Sequence, residues 1–227
     1  MCLESLASSA FSDAQCVDSI RNLTILLQQL SNGVLDSHDL ALAEPSILRM
    51  AVRNHRIGAI AELIPEEVGE MTTTILQMAD TDGRTAIHEA ASQGHVEILS
   101  RLLLPYDRSN AEDQLSSIVD FVPSENVSGR TALHEASGAG HLAMVLYLLD
   151  HCHANVDAVD NDGNTSLMFT CQQLHERVGK TLVDRGARYA CGIARVYLLR
   201  IFSQSTSDLP LPTVCGPLFE RFLLRRR

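Results

Sequence analysis

The sequence predicts an all-α solenoid of about four helix-turn-helix units with short β-turn fingers, and two observations lead there. The first is internal repetition. GRTAIHEAASQGH, from Gly83 to His95, returns as GRTALHEASGAGH, from Gly129 to His141, with nine of thirteen positions identical. Self-similarity at a few tens of residues marks stacked units, each too small to bury its apolar face alone. The second is that both copies carry the same punctuation for two short helices.

Within each copy the Thr, Thr85 or Thr131, is a candidate N-cap whose hydroxyl can accept from an orphan backbone N–H. Glu89 or Glu135 adds negative charge to the positive first turn. After about two turns, Gly94 and Gly140 supply the left-handed residue that ends the helix without a Cβ penalty. A second helix follows, with Val96, Leu99, Leu102 and Leu103 in one copy and Leu142, Val145, Leu148 and Leu149 in the next, an apolar stripe at helical period. Small residues Ala90, Ala91 and Ala136 let the partner helix approach closely. The register extends in both directions. Thr165, in TSLMFT, follows Thr131 by 34 residues, and SILRMAVRNHRIGAIAELI, from Ser46 to Ile64, aligns Leu48, Ala51, Leu63 and Ile64 with Ile87, Ala90, Leu102 and Leu103.

These residues resemble the ankyrin repeat, whose unit opens DxxG-x-TPLH-x-AA-xx-GH and closes LL-xx-GA. The family's proline is Ala86, Ala132 and Ser166 here, and its histidine is Met168 in the last copy and Arg49 in the first. The resemblance implies that His88 and His134 tie the loop to the start of the first helix, with Thr85, His88, Gly94, Thr131, His134, Gly140 and Thr165 as the structural motif. It also organises the chain into an N-terminal helical cap at 1–45, a repeat domain at 46–189 and an irregular tail at 190–227. The units fall near 46–64, 80–104, 126–150 and 160–187, with a loop insertion at 105–128. Residues 14–30 carry Val17, Ile20, Leu23, Leu27 and Leu30 on one helical face, as a cover for the first unit would.

Composition bounds the function. With 227 residues and 45% hydrophobic content, the chain can bury a core and is too apolar for intrinsic disorder. A net charge of -10 argues against nucleic acid as a partner, because phosphates demand a basic surface. Cysteines at 2, 16, 152, 171, 191 and 215 have no metal-finger spacing, and MCLESLASSA lacks the basic start of a secretory leader, so the cytoplasm or nucleus is expected. No apolar run reaches the roughly 18 residues of a membrane span.

The His-Glu pairs are not zinc-protease pairs: four residues after His88 and His134 stand Ser92 and Gly138, where a second ligand would be needed. His151, Cys152, His153, Cys171 and His175 have no ligand spacing either, and no nucleotide-binding or nucleophile motif occurs. Neither catalytic residue, cofactor nor metal is expected. The expected function is that of a non-catalytic adaptor, a monomer, binding another protein through the concave face of the solenoid. The resemblance places the contacts on finger tips and on the exposed sides of first helices: Thr81, Asp82, Arg84, Ser92 and Gln93; Val127, Ser128 and Arg130; Asn161, Asp162, Asn164, Gln172 and Gln173. Two alternatives stay open. Repeat grammar ends after Ala187, as it would in a regulatory segment of a larger enzyme, and the closing LFERFLLRRR could touch anionic lipid as a membrane-skeleton adaptor does.

Overall fold

A computed structural model describes residues 12–18, 20–21, 45–64, 69–80, 82–108, 112–124 and 126–188. Ten named helices run through them: α1 (Pro45–Arg53), α2 (Ile57–Leu63), α3 (Glu70–Gln77), α4 (Ala86–Gln93), α5 (Val96–Arg108), α6 (Glu112–Val119), α7 (Ala132–Ala139), α8 (Leu142–Asp150), α9 (Ser166–Gln173) and α10 (Glu176–Asp184). Four hairpins, α1/α2, α4/α5, α7/α8 and α9/α10, stack in two layers. First helices α1, α4, α7 and α9 pack on one another in order, as do second helices α2, α5, α8 and α10. Between the layers lies one core, in which Ala51, Ala90, Ala136 and Cys171, on successive first helices, are all buried. Such small side chains are what permits the close stacking.

The fingers are turns built by an Asx residue and a left-handed glycine. The Asp80 carboxylate accepts from the N–H groups of Asp82 (3.0 Å) and Arg84 (2.6 Å), and Asp160 repeats this with Asp162 (3.0 Å) and Asn164 (2.7 Å). Asn126 plays the same part for Ser128 and Gly129. The one β feature among the described residues is an isolated bridge from Val159 to Thr165.

The helix stops follow a column of the repeat. Gly94 and Gly140 sit at φ 74° and 79°, as the punctuation predicts, but the same column holds His55 at φ 55° and Leu174 at φ 62°. A side chain in this region is disfavoured by about 1–2 kcal/mol. Leu174 is also 49% exposed, so its removal sacrifices little burial. Leu174→Gly is therefore expected to raise stability by about 0.5–1 kcal/mol, after subtracting the unfolded-state entropy of the added glycine. Urea denaturation measures this, and a lower midpoint would contradict it.

Two connectors carry helices of their own. The stretch 105–128, expected as a loop insertion, begins inside α5, which runs through Pro105 to Arg108, and continues into α6. The stretch after Ile64 likewise contains α3. These two extra helices pack against each other, burying Ile75 and Leu76 from one and Leu115, Ile118 and Val119 from the other. Tyr106, wholly buried, hydrogen-bonds across to Thr73 at 2.8 Å. Each helix is about two turns long and marginal alone, so tertiary contact makes it.

Ahead of the first unit, residues 13–18 and 20–21 are helical. Asp13 accepts from the N–H groups of Gly58 (2.9 Å) and Ala59 (3.4 Å), capping α2, while Cys16 and Ile20 are buried. The remainder of the expected cap helix, including Leu23, Leu27 and Leu30, and the tail at 190–227 lie outside the described residues.

Candidate functional site

The motif residues bind repeat to repeat. His88 and His134 are each 1% exposed. At His88, Nδ1 lies 2.8 Å from the Thr85 hydroxyl and accepts from the Thr85 N–H (3.3 Å), so the proton resides on Nε2, which donates to the Arg130 carbonyl at 2.9 Å. His134 makes the same set with Thr131 and, across the next junction, with the Asn164 carbonyl at 3.1 Å. Sequence reasoning foresaw the tie to Thr; the tie to the next finger spans 42 and 30 residues and has no local signal. Burial pushes the pKa of His88 down to about 4 and also lowers that of His134, because an imidazolium there would be desolvated, a cost that outweighs the bond each ring makes to a backbone carbonyl. In the first unit Arg49 replaces the histidine and pairs with Asp80 of the next finger. In the last, Met168 replaces it, so Thr165 occupies the N-cap conformation without a side-chain cap bond and its hydroxyl is buried without a partner.

A second set of histidines closes the stack. His141 and His175 lie over the glycines of the preceding unit, where a Cβ on Gly94 or Gly140 would fall 2.7 Å or 2.6 Å from the imidazole. Their Nε2 atoms meet the Ser92 and Gly138 carbonyls at 3.0 Å and 3.1 Å. Of the other chemistry-bearing side chains, Cys152 and Cys171 are buried and in no disulfide, and His151 contacts Asp107 at 3.2 Å. Among the described residues no group of three or more His, Cys, Asp or Glu is arranged to hold a metal ion.

Across the first-helix layer runs a ladder of charges. Arg53 donates to Glu89 (2.8 Å), which is only 3% exposed; Arg84 donates to Glu135 (3.3 Å). Burial raises the Glu89 pKa, but Arg53, Arg84 and Gln93 together outweigh it and hold the carboxyl below its ordinary value. The next rung differs. In register with Glu89 and Glu135 stands Phe169, and Arg130 lies over its ring at 4.4 Å.

The predicted contact residues divide accordingly. Ser92, Arg130, Gln172 and Gln173 converge on one open depression of about 260 Å³, which is also lined by Glu135, Gly138, Ala139 and Phe169. Those last four were not foreseen; the register substitution of Phe for Glu was the available signal. Asp82, Gln93, Val127, Asn161 and Asp162 are exposed, Val127 by 88%. Ser128 is half-buried and its carbonyl accepts from the Asn161 N–H at 3.0 Å, joining adjacent fingers. Arg84 is half-buried and already paired. Asn164 is a correction: it is 8% exposed, with its amide nitrogen 3.1 Å from the Asp160 carboxylate, so it completes the turn and does not face a partner. Thr81 lies outside the described residues.

Stacked helical hairpins joined by turn fingers define a helical-repeat solenoid. The family is more specific: the model for an ankyrin repeat matches residues 82–114, and that for three tandem ankyrin repeats matches residues 111–191. Residues 82–191 of the chain are thus ankyrin repeats. Hairpin α1/α2 precedes the matched residues and joins the stack through its packing on α4 and α5. Ankyrin repeats are generally protein–protein interaction modules and typically non-catalytic. Among the described residues no helix is long and apolar enough to cross a membrane.

Proposed function

We propose that this protein is a non-catalytic, monomeric adaptor that holds another protein against the first-helix face and finger tips of its repeats. The observation that carries the reading is that Gln93, Val127, Asp162, Gln172 and Gln173 are exposed along that face beside a preformed depression. A rigid face lowers the ordering cost of binding. The buried cysteines Cys16, Cys152 and Cys171, none of them in a disulfide, support a reducing compartment, the cytoplasm or nucleus. Neither cofactor nor nucleic acid enters this reading.

A Gln93→Ala, Val127→Ala, Asp162→Ala variant tests it. Exposed substitutions of this kind are expected to shift stability by no more than about 0.5 kcal/mol. Affinity capture from native lysate followed by mass spectrometry should then lose a partner that the parent chain retains. Retention of every partner by the triple variant would move the working surface to the α3/α6 pair or to residues 190–227.

A further inference from the structure

On the reading that the first-helix face is the working surface, we infer that the depression around Arg130 takes an acidic side chain, Asp or Glu, from the protein partner. The ladder itself points there. Arg53 and Arg84 each have a carboxylate from the following unit, at 2.8 Å and 3.3 Å. Arg130 has a ring in that place, because Phe169 occupies the Glu column. Its two carboxylate neighbours, Glu135 and Asp160, both stand at 3.9 Å, beyond hydrogen-bond reach, and its Nε, like that of Arg84, is buried without a hydrogen-bond partner.

Neither neighbour can serve as the missing rung. Glu135 is held by Arg84, and the Asp160 carboxylate, 1% exposed, accepts from the Asp162 and Asn164 N–H groups and the Asn164 amide. Stacking on Phe169 fixes the plane of the Arg130 guanidinium while 39% of the side chain stays exposed at the depression. A planar fork held in this way is matched by one carboxylate bidentately. Gln172, Gln173 and Ser92 around it supply neutral donors and acceptors, which suit the backbone of an incoming segment, and Glu135, the carboxylate in the same lining, has its charge offset by Arg84.

The test is a selection of displayed random twelve-residue peptides on the full chain, followed by a double-substitution cycle. Arg130→Gln is expected to fold, since it is the backbone carbonyl of Arg130, not its side chain, that holds His88. Selected peptides should share an Asp or Glu. Replacing it with Asn or Gln should weaken binding at least tenfold to the parent chain, and should add nothing further on Arg130→Gln. Phe169→Glu, which restores the carboxylate within the chain, should weaken the same peptides. If Gln172→Ala and Gln173→Ala abolish binding while the selected peptides carry no common acid, or if the two substitutions in the cycle are additive, the acidic-partner inference is overturned and the face remains the working surface. Peptides indifferent to every change on this face, or a selection that yields none, overturn both.

Discussion

Lowering the pH from 6.5 to 4 is expected to remove about 3 kcal/mol of folding stability through His88 alone. In the unfolded chain this imidazole takes its proton around pH 6.5; in the fold it stays neutral until about pH 4. Between these values the unfolded state binds more protons, so stability rises with pH across the window and is lost as pH falls through it. Below the window the slope from this group vanishes. His134, shifted in the same direction for the same first cause, steepens the loss. Glu89, whose carboxyl is held low, adds its own loss below its ordinary range, so the histidine effect is separated by position on the pH axis. Urea midpoints measured from pH 7 to 4 check this. His88→Gln keeps a side chain able to reach back to the Thr85 N–H but cannot titrate, and should flatten the curve. A parent curve already flat between pH 6.5 and 4.5 would refute the assignment.

Gly140→Ala is expected to cost about 2–3 kcal/mol, and Gly163→Ala only about 1 kcal/mol. Both glycines have a left-handed backbone, at φ 79° and 77°. They differ in what a methyl group would meet. At Gly140 it would fall 2.6 Å from the His175 ring, which is anchored to the Gly138 carbonyl and cannot turn aside without breaking that bond; at Gly163 there is open space. The difference between the two therefore isolates the close approach of one repeat to the next from the backbone term they share. Thermal unfolding of the pair decides it, and equal losses would mean that the histidine moves freely.

What could be read in the sequence was whatever a short window contains. Thr85, His88 and Gly94 lie within ten residues of one another, and the same window recurs, so the helix starts, stops and finger turns were foreseeable. Helices α3 and α6 were not, because neither has a long apolar stripe of its own. Their stability comes from each other and from Tyr106, whose partner Thr73 is 33 residues away. The site shows the same division. Exposed tips such as Asp82 and Asp162 follow from the turn register, whereas the Arg84–Glu135 pair joins residues 51 apart. Asn164 shares a column with Arg84 and Arg130 and so resembled a contact residue. A short amide beside Asp160 folds back onto the turn where a long guanidinium reaches outward.

The α3/α6 pair has a mechanical consequence. Along the stack the histidine-to-finger bonds lie in series, so a force pulling the ends apart acts on every junction at once and the weakest yields first. Helix α3 leaves the chain between the first and second hairpins and α6 between the second and third, and their contact splices the second hairpin on both flanks. Among the described residues the junction between α7/α8 and α9/α10 has no such splice and is tied by His134 and His175 as the junction before it is tied by His88 and His141. Under tension that junction would yield before the α4/α5 hairpin, which is spliced on both flanks.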